Sequence, residues 1–134
     1  MYLLDTNILS EIIKKKPNPG LIKRLRYEPH HFIHTSSVCV FELRFGSALR
    51  DDFNIFWQRI MDNIISRISI LEFGEAEAII AGGILAQLQV KGQIVGVEDV
   101  YIAATAISHK CLLVTANTRH YERIKGLKIE NWIS

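Results

Sequence analysis

Short apolar segments alternate with helical ones along this chain, and that alternation limits its possible folds more than any single motif. "YLL" (2–4), "HFIHTSS" (31–37), "RISILEF" (67–73), "CLLVTAN" (111–117) and "LKIENW" (127–132) read as strands between turn formers. Between them, "TNILSEIIKKK" reads as a helix stopped by "PNPG" at 17–20, and "LIKRLRY" as a shorter one. "VFELRFGSALR" has helical character despite Gly46, and Phe53, Trp57, Ile60 and Ile64 recur at amphipathic spacing. "GEAEAIIAGGILAQLQVKG" predicts a long helix with Ile80, Ile84 and Leu88 on one face and Gly92 past its end. "VGVEDVYIAATAISHK" reads as a loop entering an alanine-rich helix, and "HYERI" as a last helical turn. Strands joined through helices pair in parallel by right-handed crossovers, so the expected fold is a three-layer α/β/α sandwich with a central, mainly parallel sheet. At 134 residues and 49% hydrophobic, the chain is expected to form one domain over residues 1–134.

In open parallel sheets, ligands sit at the carboxyl ends of the strands. Asp5 ends the first strand, and Thr115 and Asn117 follow "LLV" at the same edge. Asp99 opens the helix that feeds that strand, and Glu42 lies early in the helix after "FIHTSS". Each acid has a simpler role: Asp5 and Asp99 as helix caps, Glu42 as a solvated carboxylate. Taken together they make a stronger case, because Glu42 sits among Val40, Phe41, Leu43 and Phe45, and Asp5 directly follows a buried strand. Carboxylates crowded in a partly buried rim repel, and a bound cation relieves them. Oxygen ligands without a cysteine or histidine pair favour Mg²⁺ or Mn²⁺ over zinc.

These residues carry a resemblance. "MYLLDTNILS", "FELRFG" and "GVEDVYIAATAISHKCLLVTANTRHYERIKGLKIENW" resemble, in order and spacing, the PIN-domain nucleases, and within them the VapC-type toxins of bacterial toxin–antitoxin pairs. The likeness runs the length of the chain. It implies metal-dependent cleavage of RNA, with Asp5, Glu42 and Asp99 as the acids that hold the metal and carry catalysis. Thr6, Asn7, Thr115 and Asn117 match supporting positions of the family's motifs. One position departs from the pattern: His120 stands before Tyr121 where many relatives place an acid, which weakens the case for a second metal. Glu98 is a candidate substitute, though a surface glutamate is the simpler explanation. His120 is expected at the rim, outside the immediate ligand set of one Mg²⁺ or Mn²⁺.

The resemblance also implies a VapB-type antitoxin covering the acidic site, a homodimer formed through helices around residues 38–65, and a toxin–antitoxin hetero-oligomer bound to operator DNA through the antitoxin. Lys14, Lys15, Lys16, Lys23, Arg24 and Arg26, with no acid interspersed, are candidates for gripping RNA phosphates, or else a solvated face. Net charge is only +2, too mild to identify a polyanion partner by itself. Cys39 and Cys111 lie in separate apolar runs and are expected as buried free thiols. No apolar stretch reaches the ~18–20 residues of a membrane span, and no secretory leader is apparent, so a cytoplasmic protein is expected. Two other classes remain open: a non-catalytic RNA- or protein-binding PIN-like domain, and a receiver-like phosphoryl-transfer domain. The latter would need an acceptor aspartate after the third strand, where Glu72 stands.

Overall fold

The computed structural model describes all residues, Met1–Ser134. In chain order its elements are β1 (Tyr2–Leu4), α1 (Thr6–Ile12), α2 (Pro19–Tyr27), β2 (Ile33–Ser36), α3 (Ser37–Ala48), α4 (Phe53–Ile60), β3 (Ser69–Leu71), α5 (Glu75–Val90), α6 (Val97–Ser108), β4 (Leu112–Val114), α7 (Thr118–Tyr121) and β5 (Ile129–Glu130). The five strands form one sheet in the order β3-β2-β1-β4-β5, and every pairing is parallel. Helices flank this sheet, which is the expected α/β/α arrangement.

The strand order decides where a ligand can sit. The chain builds outward from β1 to β2 and β3, then crosses back to place β4 on the other side of β1. The switch point therefore lies between β1 and β4, and a crevice opens beyond the carboxyl ends of those two strands. Leu3, Leu4, Leu113 and Val114 are fully buried, as expected of strands covered on both faces.

Local chemistry explains the boundaries. Asn18 caps α2 by accepting from the Leu21 N–H at 3.0 Å, with Pro19 at the first helical position. The Ser36 hydroxyl accepts from the Cys39 N–H at 3.1 Å, so α3 starts at Ser37, three residues ahead of the segment read from sequence. Helix α5 stops where Gly92 turns left-handed (φ 68°) and Gln93 N–H reaches back to Leu88 O at 2.8 Å. Helix α6 ends the same way on a non-glycine residue, Lys110 (φ 57°), which nothing in the sequence announced.

Some expected elements are shorter or shifted. Helix α1 ends at Ile12 rather than running through the lysines, and Glu11 is occupied by Lys14 and by the Asn18 N–H. Beyond Ile60, α4 widens into a π-helical turn over Met61–Ile65. Ile60 and Ile64 stay fully buried, but Phe53, at the other end of the expected apolar face, is 39% exposed. The last strand has only two residues, because Trp132 turns back to meet the Tyr2 ring edge-on at 4.9 Å. An edge strand this short offers little backbone for pairing with another chain. Helix α7 begins at Thr118, two residues before the expected turn. Cys39 and Cys111 are buried and free. No helix is long and apolar enough to cross a membrane.

Candidate active site

Asp5 leaves β1 at the switch point and is only 4% exposed. One carboxylate oxygen caps α1, accepting from the Thr6 N–H at 2.8 Å. Capping does not exhaust it, however. Its other oxygen accepts from Thr115 Oγ1 at 2.8 Å, from the Tyr121 hydroxyl at 3.1 Å and from Asn7 Nδ2 at 3.2 Å. Thr115 is the residue immediately beyond β4, so the end of one central strand grips the end of the other. Asn7 reinforces the join by accepting from the Ala116 N–H at 2.9 Å.

Asp99 reaches this rim because α6 must run back to the amino edge to start β4, which places its first turn at the carboxyl edge. It does not cap its helix. One oxygen accepts from the Tyr121 hydroxyl at 3.1 Å, and the other lies 3.1 Å from His120 Nδ1. Glu42, half-buried on α3, accepts from Thr6 Oγ1 at 2.6 Å. Asp5 and Glu42, separated widely in sequence, thus bring carboxylate oxygens within 4.8 Å of each other, and Asp99 joins them through the Tyr121 hydroxyl, with Thr6, Asn7 and Thr115 around them.

The electrostatics are strained in one direction. Burial pushes the Asp5 carboxyl above its usual range, against the hydrogen bonds from Thr115, Thr6 and Tyr121, and Asp99 adds repulsion. Burial also raises Glu42, with Thr6 opposing and Asp5, Asp99 and Glu98 repelling it. Neither Asp5 nor Glu42 takes part in an ion pair. Tyr121 sharpens the conflict, since its one hydroxyl proton faces two carboxylates. Whichever acid does not receive that proton meets an oxygen lone pair. A proton or a cation must be shared among these groups for all of them to be satisfied. Their oxygens suit a hard divalent cation, so the donor set fits Mg²⁺ or Mn²⁺.

Not every expected residue joins the cluster. Asn117 is exposed and contributes its backbone, donating its N–H to Thr115 Oγ1 at 3.0 Å, while its side chain reaches none of the acids. Glu98 is exposed and acts on Glu42 only through charge. The basic stretch lies elsewhere. Lys14, Lys15 and Lys16 follow the far end of α1 from Asp5, and the Arg24 side chain is held by Glu28 (2.9 Å) and Glu130 (3.5 Å).

Two neighbours were invisible as site residues in the sequence. Tyr121 is 1% exposed and carries the hydroxyl between Asp5 and Asp99; its place directly after the His120 position was the only available signal. Cys39 brings its sulfur within 4.8 Å of ligand oxygens of Asp5 and Glu42. Burial and the Asp5 charge push its thiol up, so it stays a neutral thiol, hydrogen-bonded by Ser36 at 3.2 Å. A neutral thiol is a poor partner for a hard cation.

Comparison with known proteins shows the family and the fold. The PIN domain family matches residues 2–127. The chain belongs to the PIN-domain family. Within it the chain is of the VapC type: it is 34% identical to Ribonuclease VapC2 of Haemophilus influenzae, over 98% of each chain. It is also 35% identical to the tRNA(fMet)-specific endonuclease VapC of Shigella flexneri, covering 98% of this chain and 97% of that one. Among solved structures, VapBC2 from Rickettsia felis bound to a DNA fragment from its promoter superposes with a TM-score of 0.87 at 30% identity, over 98% of both chains. In this PIN domain the crevice beyond β1 and β4 is therefore built on a fold shared with ribonucleases along nearly the whole chain.

Proposed function

We propose that this PIN domain is the toxin of a toxin–antitoxin pair and an endoribonuclease that hydrolyses RNA phosphodiesters with Mg²⁺ or Mn²⁺. The observation that carries the reading is the convergence of Asp5, Asp99 and Glu42 at the switch point, with a single Tyr121 proton to satisfy two of them. Asp5, Asp99 and Glu42 would hold the cation, which supplies polarisation of a phosphoryl oxygen and a water nucleophile at neutral pH. The chain's own residues position that chemistry. Thr115 and Tyr121 aim the Asp5 carboxylate, Thr6 aims Glu42, and His120 and Tyr121 hold the two oxygens of Asp99. Attack by water leaves the ribose 2′-hydroxyl unused, so the products carry a 5′-phosphate and a 3′-hydroxyl.

An antitoxin of the VapB type is the natural partner, because uncompensated buried acids attract a basic side chain from a covering segment. A second copy fits the apolar face of α3 and the start of α4, where Phe41, Phe45, Leu49 and Ile55 are 57%, 61%, 74% and 71% exposed. Relatives in DNA-bound complexes support an operator-bound assembly in which the antitoxin contacts the DNA. The test is cleavage of RNA by the purified chain. Cleavage with Mn²⁺ or Mg²⁺, its loss in chelator and 5′-phosphate ends are expected. Intact RNA under all metal conditions would refute the enzyme and leave a binding domain.

A further inference from the structure

Beside the acidic cluster lies an open pocket of about 370 Å³ whose lining holds both an acid and two arginines. Asp99 and its partner His120 line it together with Arg119 and Arg123, and the exposed Ile94 adds an apolar surface. Arg119 on α7 and Arg123 in the turn that follows it line this same pocket. Arg123 also lines a narrow neighbouring crevice together with Lys91 and Lys125. None of these four cations takes part in an ion pair. Glu122, between the arginines in sequence, lines neither pocket. The unpaired positive charge thus runs from the pocket that Asp99 lines into the neighbouring crevice, with Arg123 common to both.

Resting on the nuclease reading above, we propose that Arg119 and Arg123, continued by Lys91 and Lys125, form a phosphate-binding track that guides the RNA strand to Asp99. Exposed guanidiniums beside the acidic rim that no protein carboxylate pairs are free to meet a further anion, and a nucleic-acid backbone supplies anions at regular spacing. Arginine suits the task because its planar fork meets two phosphate oxygens at once. The partner of Asp99 here is His120, through Nδ1 at 3.1 Å, and neither arginine pairs with it. Ile94, 92% exposed among the lining residues, offers an apolar surface on which a base can rest while its phosphate meets the arginines. The track also shifts the substrate surface away from the stretch between Lys14 and Arg26.

The test is binding of a fluorescein-labelled single-stranded RNA oligonucleotide by the full chain, measured by anisotropy across NaCl concentrations. Removing two phosphate contacts should flatten the slope of log K against log salt by about 1.4, at ~0.7 per contact for single strands. The R119Q/R123Q double variant should show that change, about a tenfold rise in KM and little change in kcat. R119K/R123K should retain most of the wild-type slope, and K15Q/K16Q should match wild type. An unchanged slope and KM in R119Q/R123Q would overturn the track. So would an unchanged slope combined with lost capture of the co-expressed product of a neighbouring reading frame, which would assign the arginines to a protein partner. A flattened slope supports the track even if the wild type cleaves no RNA, a result that would sink only the nuclease reading.

Discussion

The basic stretch from Lys14 to Arg26 and the acidic rim around Asp5 both concentrate like charge, but the protein treats them in opposite ways. In the basic stretch, the charges are solvated or answered locally. Lys14 pairs with Glu11 at 2.9 Å, and Arg24 lies between Glu28 and Glu130 with its guanidinium 4.6 Å above the Trp132 ring. Lys15, Lys16, Lys23 and Arg26 are exposed, where water screens them. At the rim, Asp5 is almost wholly buried, receives four hydrogen bonds and pairs with no basic side chain. Charge left uncompensated where water cannot reach it is costly, and proteins keep it where it acts. Density of charge in sequence is therefore a weaker guide to function than whether the fold provides a partner.

The largest effects that would break this contrast belong to the acids. Asp5→Asn and Asp99→Asn should each lower RNA cleavage by at least about 10³-fold, roughly 4 kcal/mol in the barrier, while far-UV circular dichroism stays native. Wild-type cleavage by either variant would remove the acids from the chemistry. Tyr121→Phe should come next. It deletes the hydroxyl between Asp5 and Asp99 but leaves Thr115 and Asn7 on Asp5, so we expect activity to fall about tenfold, ~1.4 kcal/mol, in initial-rate assays. An unaffected rate would show that the phenol only fills space.

Arg24→Ala sharpens the other side of the comparison. Loss of its stacking on Trp132 and of its partly exposed ion pairs should cost about 1 kcal/mol in urea unfolding and leave cleavage unchanged. A fall in activity without a fall in stability would return the basic stretch to the substrate surface. The smallest effect concerns Glu42→Gln. Because burial raises the folded-state pKa of Glu42, the folded protein binds more protons than the unfolded chain as pH rises through the carboxylate range. Its ionised form therefore opposes folding above that range. Because Glu42 is only half-buried and water screens its charge, the variant should gain a few tenths of a kcal/mol at pH 7, seen as a rise of about 1–2 °C in Tm without added metal. This gain should shrink as pH falls through the carboxylate range and be gone below ~4, where the wild-type carboxyl is protonated in both states. A constant difference at all pH values would assign the effect to packing.

Much of this arrangement was legible in sequence because it depends on covalent neighbours. The alternation of strands and helices imposed parallel pairing, and parallel pairing places the residue after each strand at one edge. Asp5, Thr115 and, through the direction of α6, Asp99 follow from that rule alone. Glu42 followed from a polar residue set among apolar ones. Other details were decided only in three dimensions. Asn117 shared the local pattern of Thr115, yet the start of α7 turns it outward and leaves its backbone to do the bonding. Trp132 belonged to an apparent strand until the Tyr2 ring drew it back across the sheet edge.

The sequence by itself determined the layering, the edge at which chemistry can occur and three acids that meet there, since strand period, crossover handedness and residue order are local properties. Only the tertiary structure decided which strands flank the switch point, that the Tyr121 hydroxyl bridges Asp5 and Asp99, and that the Cys39 sulfur lies beside the acids. Tyr121 and Asp5 are 116 positions apart, and the bond between them exists because β1 pairs with β4 and α7 packs beside α6. A hydrogen bond across that separation depends on the register of several packed elements at once, which no local pattern of residues encodes.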